Sequence, residues 1–129
     1  MGSKGPLNPD LNRDEIEDLV ELLKRIGTNS FAARVLVSLS MNGPSDSAFL
    51  QKDCDLRQPE VSIAISHLKK DGIIQTEKTN IGGRGRPKHI YGLTGGFDDS
   101  IQPFVKRAKD KLAIMQEQIS RLKEITDNI

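Results

Sequence analysis

A chain of 129 residues holds one domain of ordinary size, and Leu, Ile, Val and Phe fill 35 of its positions, enough apolar surface to fold. No apolar run is long enough to span a bilayer and no secretory leader core follows Met1, while one cysteine with two histidines excludes an intrachain disulfide and a zinc finger; the expectation is a soluble, cytoplasmic protein with no metal, no cofactor and no membrane partner. The net charge of +1 hides an uneven layout, because residues 57–93 carry seven basic and three acidic side chains, and phosphate binding depends on a local footprint rather than on the sum.

Residues 1–11, with two Pro and two Gly, read as a mobile tail. Asn12 is placed to cap a first helix whose opening turn holds Asp14 and Glu15, favourable at the positive end of the helix dipole. Ile16, Leu19, Val20, Leu23 and Ile26 form its apolar stripe, and Gly27 ends it. A second helix is predicted from Ser30, with Phe31, Val35, Leu36 and Leu39 inward, stopping at Asn42-Gly43-Pro44. Ser45 is the predicted cap of a short third helix over 46–53, with Phe49 and Leu50 buried. In the next turn Asp55 tolerates a left-handed backbone, Leu56 plugs the core, and Pro59 suits the first position of a new helix that runs to Lys70. Asp71-Gly72 closes that helix. Two β-prone runs, 73–79 and 88–93, are joined by a Gly- and Arg-rich link and read as a hairpin. Gly95-Gly96 then precedes a long last helix over about 100–126.

The order of three helices, a short turn between the second and third, and a hairpin is that of a winged helix-turn-helix. On the 59–70 helix, Val61, Ala64, Ile65 and Leu68 fall on one side at 3.6-residue spacing. Pro59, Ser62, Ile63, Ser66 and Lys70 fall on the other, without a carboxylate. A merely solvated face usually mixes Glu with Lys. A face that enters a major groove avoids acids and keeps its side chains short, so that the backbone approaches the bases. The candidates for base-proximal contact are Gln58, Ser62, Ile63 and Ser66, with Ile63 suited to a thymine methyl.

The segment LRQPEVSIAISHLKKDGII resembles the recognition segment of the ArsR-type winged-helix repressors, with related forms in the MarR and TrmB groups. The resemblance covers roughly residues 30–94 and rests on Leu56, Gln58, Val61, Ser62, Leu68, Gly72, Ile73 and Ile74. It implies a DNA-binding transcription regulator. GRGRPKHIYGL (83–93) is similar to the wings of such regulators, where a tip arginine enters the minor groove. Three departures stand out: Arg57 occupies a common Ser or Thr cap position, Ile63 replaces a frequent basic or polar reader, and no second thiol accompanies Cys54, so thiolate metal sensing is not expected.

The tip argues independently of that resemblance. Arg84, Arg86 and Lys88 alternate with Gly83, Gly85 and Pro87, and guanidinium groups are drawn to the negative potential of a narrow minor groove. Arg57, Lys69 and Lys70 join Arg84, Arg86 and Lys88 as candidates for backbone and minor-groove contact. The plain alternative is a flexible turn kept soluble by charge.

In the last helix Ile101, Val105, Ala108, Leu112, Met115, Ile119 and Leu122 alternate spacings of four and three, an a/d heptad seam. A helix of that length, about 40 Å, exceeds what a small winged domain covers, so a second copy of the chain is the expected partner. Packing against the first helix is the other use of the seam. Phe104, Ile114 and Ile125 lie off it and suggest further burial, and Lys106, Arg107, Lys109 and Lys111 read as a solvated flank. The fold class is thus α+β, mainly α: a winged helix-turn-helix over 12–94 with a two-stranded wing, followed by a coiled-coil-like dimerisation helix within 95–129. The expected function is sequence-specific binding of double-stranded DNA by a homodimer on an inverted repeat. The alternative is a winged-helix module that docks to proteins of a transcription-related complex. No acid-base pair or nucleophile constellation argues for an enzyme.

Overall fold

The computed structural model describes residues 11–79 and 87–128. Its elements run α1 (Arg13–Arg25), α2 (Ser30–Asn42), β1 (Ser45–Asp46), α3 (Ser47–Cys54), α4 (Gln58–Lys70), β2 (Ile74–Thr79), β3 (Lys88–Leu93) and α5 (Phe97–Asp127). All but the last residue of the expected tail over 1–11, and the expected hairpin tip with Arg84 and Arg86, lie outside the described residues.

Local signals start and stop the helices as their chemistry requires. Asn12 and Glu15 form a reciprocal capping box: the Glu15 amide donates to Asn12 Oδ1 at 2.8 Å, and the Asn12 amide donates to Glu15 Oε1 at 3.0 Å. Asn29 caps α2 by accepting from the Phe31 and Ala32 amides. The end of α3 is turned by Asp55 at φ 54°, ψ 50°, the left-handed conformation expected of it. Gly72, at φ +73°, redirects the chain out of α4 where a Cβ would be strained.

Three expectations about α3 and α4 are corrected by the structure. Ser45 is not the cap of α3; it pairs with Tyr91 in β1, and Asp46 caps the helix by accepting from the Phe49 amide at 2.8 Å. Backbone pairing has claimed Ser45, and a carboxylate one residue later still reaches the third amide of the helix. Phe49 is not buried but 41% exposed, since a two-turn helix cannot turn adjacent residues the same way and Leu50 takes the inward place at 0%. Pro59 is the second residue of α4 rather than the first, because Gln58 already has helical geometry.

The sheet has the order β1-β3-β2, antiparallel throughout, with Ile74 opposite Leu93 and Thr79 opposite Lys88. Strand β1, only two residues long, binds the start of α3 to the wing. The core lies among α2, α3 and α4, with Leu36, Leu50, Leu68, Val35, Val37 and Val61 fully buried. Burying a side chain of this size contributes roughly 1.5–3 kcal/mol. From α5 only the first turns join: Phe97, Ser100 and Phe104 are buried and Ile101 packs against the cluster. The helix begins three residues earlier than predicted, since Gly96 serves as its cap and Phe97 is drawn into the core. Pro103 sits inside this first stretch and removes one ladder bond. Ile114 and Ile125 are not further buried in the chain but 55% and 50% exposed. Among the described residues no helix is long and apolar enough to cross a membrane.

Candidate nucleic-acid interface

The two sides of α4 separate cleanly. Val61, Ala64, Ile65 and Leu68 are buried against the core, and Pro59, Ser62, Ile63, Ser66, His67, Lys69 and Lys70 are exposed. The start of the helix is held without a Ser or Thr cap: the Arg57 amide donates to Glu60 Oε1 at 2.8 Å. That bond commits the acid nearest the outward face to the backbone and leaves the Arg57 side chain exposed.

A shallow groove opens between α4, the start of α3 and strand β3. Gln58, Ser62, Ser66 and Lys69 line it from α4, Ser47 from α3, and Tyr91 from β3. Three of the four residues expected near the bases are therefore brought together with one of the expected backbone contacts. Gln58 Nε2 donates to Ser62 Oγ at 3.2 Å, which orders both side chains on the groove wall. Ile63 stands outside this groove, 43% exposed on the adjoining side of the helix. Ser47 and Tyr91 escaped the sequence reading. Tyr91 lies in the wing segment 83–93, but β3 shows no clean alternation of burial that would have singled it out.

Apart from Lys69 on its wall, the described cations expected to contact DNA stand around the groove rather than in it. Lys70 is exposed at the far end of α4. Lys88 opens β3 and faces Asp46 with Nζ 3.8 Å from Oδ2; the lysine is largely exposed, so the pair is loose and of the kind that contributes about 1 kcal/mol or less. His67 and His89 are both exposed, and the ring of His89 lies 6.4 Å from that of Tyr91. Among the described residues no group of three His, Cys, Asp or Glu side chains is placed to hold a metal ion.

Cys54, at the last position of α3, is 6% exposed and its thiol donates to the Arg34 carbonyl at 3.5 Å. Burial pushes it up from 9.0 to about 11, with the Asp53 charge adding to the rise and a hydrogen bond with Ser38 opposing it. A thiol in that state is protonated and poorly nucleophilic, the opposite of what an oxidation-sensitive cysteine needs.

The a/d seam divides in two. Ile101, Val105 and Ala108 are half-buried within the chain, while Leu112, Met115, Ile119 and Leu122 are 50–62% exposed. Every residue from 109 to 128 is exposed, so the distal half of α5 finds no cover among the described residues.

No family model matches the sequence, and no curated protein matches it. Solved structures do resemble the chain. A possible transcriptional regulator from Methanosarcina mazei aligns over 81% of this chain and 88% of its own, with a TM-score of 0.55 and 20% identity. A MarR-family transcriptional regulator from Silicibacter pomeroyi aligns over 88% of this chain and 81% of its own, with a TM-score of 0.51 and 20% identity. NadR in complex with 4-hydroxyphenylacetate aligns over 88% and 79%, with a TM-score of 0.51 and 15% identity. At these identities the likeness is one of fold. The chain has the winged-helix architecture found in regulators of the MarR family.

Proposed function

We propose that this winged-helix protein is a sequence-specific, double-stranded DNA-binding transcription regulator, working as a homodimer on an inverted repeat. The observation that carries the reading is the groove between α4 and β3. Gln58, Ser62, Ser66 and Lys69 open onto it beside Tyr91 of the wing strand, so the acid-free side of α4 and the wing adjoin on one face. A helix of that kind enters the major groove with its short polar residues at the base edges. Arg57, Lys69, Lys70 and Lys88, with Arg84 and Arg86 of the wing tip, then supply phosphate and minor-groove attraction. The exposed half of the α5 seam supports pairing of two chains through Leu112, Met115, Ile119 and Leu122. Such a dimer presents its two α4 helices about 34–36 Å apart, one turn of duplex. The reading assigns no enzymatic step, and the expected site of action is the cytoplasm.

Selection of bound fragments from random duplexes tests it and should return an inverted repeat. The Arg84→Ala, Arg86→Ala double variant should weaken binding to every duplex and lower the slope of log affinity against log salt by about 1 for each phosphate no longer neutralised. Wild-type protein that passes through heparin and duplex-DNA columns unretained at moderate salt would overturn the reading. That outcome would favour the protein-docking module, for which exposed Phe49 and Ile63 are the supporting observation.

A further inference from the structure

The end of α4 is tied to α5 by a side-chain pair from residues 36 positions apart. Asp71 is the C-cap of α4. A carboxylate there lies at the negative end of the helix dipole, an unfavourable place for it. Arg107, from the third turn of α5, meets it with both nitrogens, NH2 to Oδ2 at 3.0 Å and NH1 to Oδ1 at 3.2 Å. The guanidinium also lies over the ring of Phe104, 5.3 Å from its centre, and Phe104 is buried. Arg107 stays on the solvated flank expected of the basic run around it, its side chain 56% exposed, and adds this one directed contact. A planar fork against a carboxylate fixes direction as well as distance, which a lysine in the same place does not.

Its position along α5 matters. Up to residue 108 the helix leans on the winged domain, and from residue 109 it is exposed throughout. A second anchor holds the base of the same joint: the Thr94 hydroxyl donates to the Gly72 carbonyl at 2.9 Å, and the Thr94 amide donates to the Ile73 carbonyl at 2.9 Å. The chain leaving α4 and the chain entering α5 are therefore pinned together, Phe97 and Phe104 seat the first turns of α5 in the core, and the Arg107 pair is the last contact before the exposed half.

We propose that Arg107 and Asp71 form a positioning pair that holds α5 at one angle to α4, and so sets the separation of the two α4 faces in the dimer and the half-site spacing it accepts. The proposal rests on the regulator reading, and its test separates the two. With Cys54 replaced by Ala, a spin label on Ser66→Cys reports the distance between the two α4 faces without DNA. Binding to inverted repeats of varied spacer length reports the consequence. Two rigidly held modules gain on the order of 100-fold when spacing matches their geometry and lose that gain when it does not.

The wild-type distance distribution should be narrow, and Arg107→Ala should broaden it. The preference for the best spacer should fall from about 100-fold to below about tenfold, with affinity for an isolated half-site unchanged. The exchanged pair, Asp71→Arg with Arg107→Asp, should restore both. An Arg107→Ala protein that keeps the narrow distribution or the spacer preference overturns the proposal, as does an equal loss at every spacer and at the half-site. A wild type with no inter-chain distance overturns it too. A wild type that binds no duplex, yet whose narrow distance broadens in Arg107→Ala, supports the positioning role and sinks the regulator reading.

Discussion

Ser62 is short, exposed and already bonded to Gln58, so it adds little to the stability of α4 and is free to exchange that partner for another. Replacing it by Ala is expected to leave folding unchanged and general duplex affinity within a few-fold. Discrimination at one base position should fall by about 1–3 kcal/mol, read from competition gel shifts against single-base variants of the selected site. A uniform loss across sequences would contradict the assignment. Cys54 gives the opposite kind of expectation. Its thiol is raised from 9.0 to about 11 in the folded chain, so the neutral form is the one the fold favours. The stability it contributes is complete below its unfolded value and is lost as pH climbs through the folded one. Between pH 9.0 and about 11 the wild type should therefore lose up to about 2 kcal/mol more than Cys54→Ala in denaturant titrations. In the native state alkylation should stay slow until that window is reached.

The helices are set at their ends by a few polar atoms, and α1 and α4 along their length by one buried stripe. The α3 helix depends most on its cap, because eight residues offer few ladder bonds of their own. Asp46→Ala is expected to cost about 1 kcal/mol, seen as a lower urea midpoint with an unchanged slope. Most of that cost comes from the Phe49 amide, since the Lys88 contact at 3.8 Å is loose. The period of α4 made both of its faces legible from residues alone: Val61, Ala64, Ile65 and Leu68 are buried where the spacing put them. The α3 helix was harder to read. Phe49 and Leu50 are adjacent and both apolar, and over two turns no period decides which faces in. Strand β1 had no pattern at all, because two residues have no alternation, and only the approach of β3 makes Ser45 and Asp46 a strand.

At the scale of the molecule, α5 is one helix with two environments. Its first turns close the core through Phe97 and Phe104, and its distal half exposes a seam that water does not favour. Leu112→Lys with Ile119→Lys is expected to leave the winged domain folded, because neither residue joins the core, and to give a monomer in sedimentation. Affinity for the inverted repeat should then fall by on the order of 100-fold, while affinity for a half-site holds. A dimer that survives both lysines would move the interface elsewhere. The amino-acid order by itself determined the helix periods, the Asn12 cap, the turns, the left-handed Asp55, the two wing strands and the spacing of the long heptad seam, since these depend on neighbours within a few residues along the chain. Only the tertiary structure decided the groove shared by α4 and Tyr91, strand β1, the exposure of Phe49 and the tie between Asp71 and Arg107. Those depend on groups far apart in the chain, and no local propensity encodes which distant residues packing will bring together.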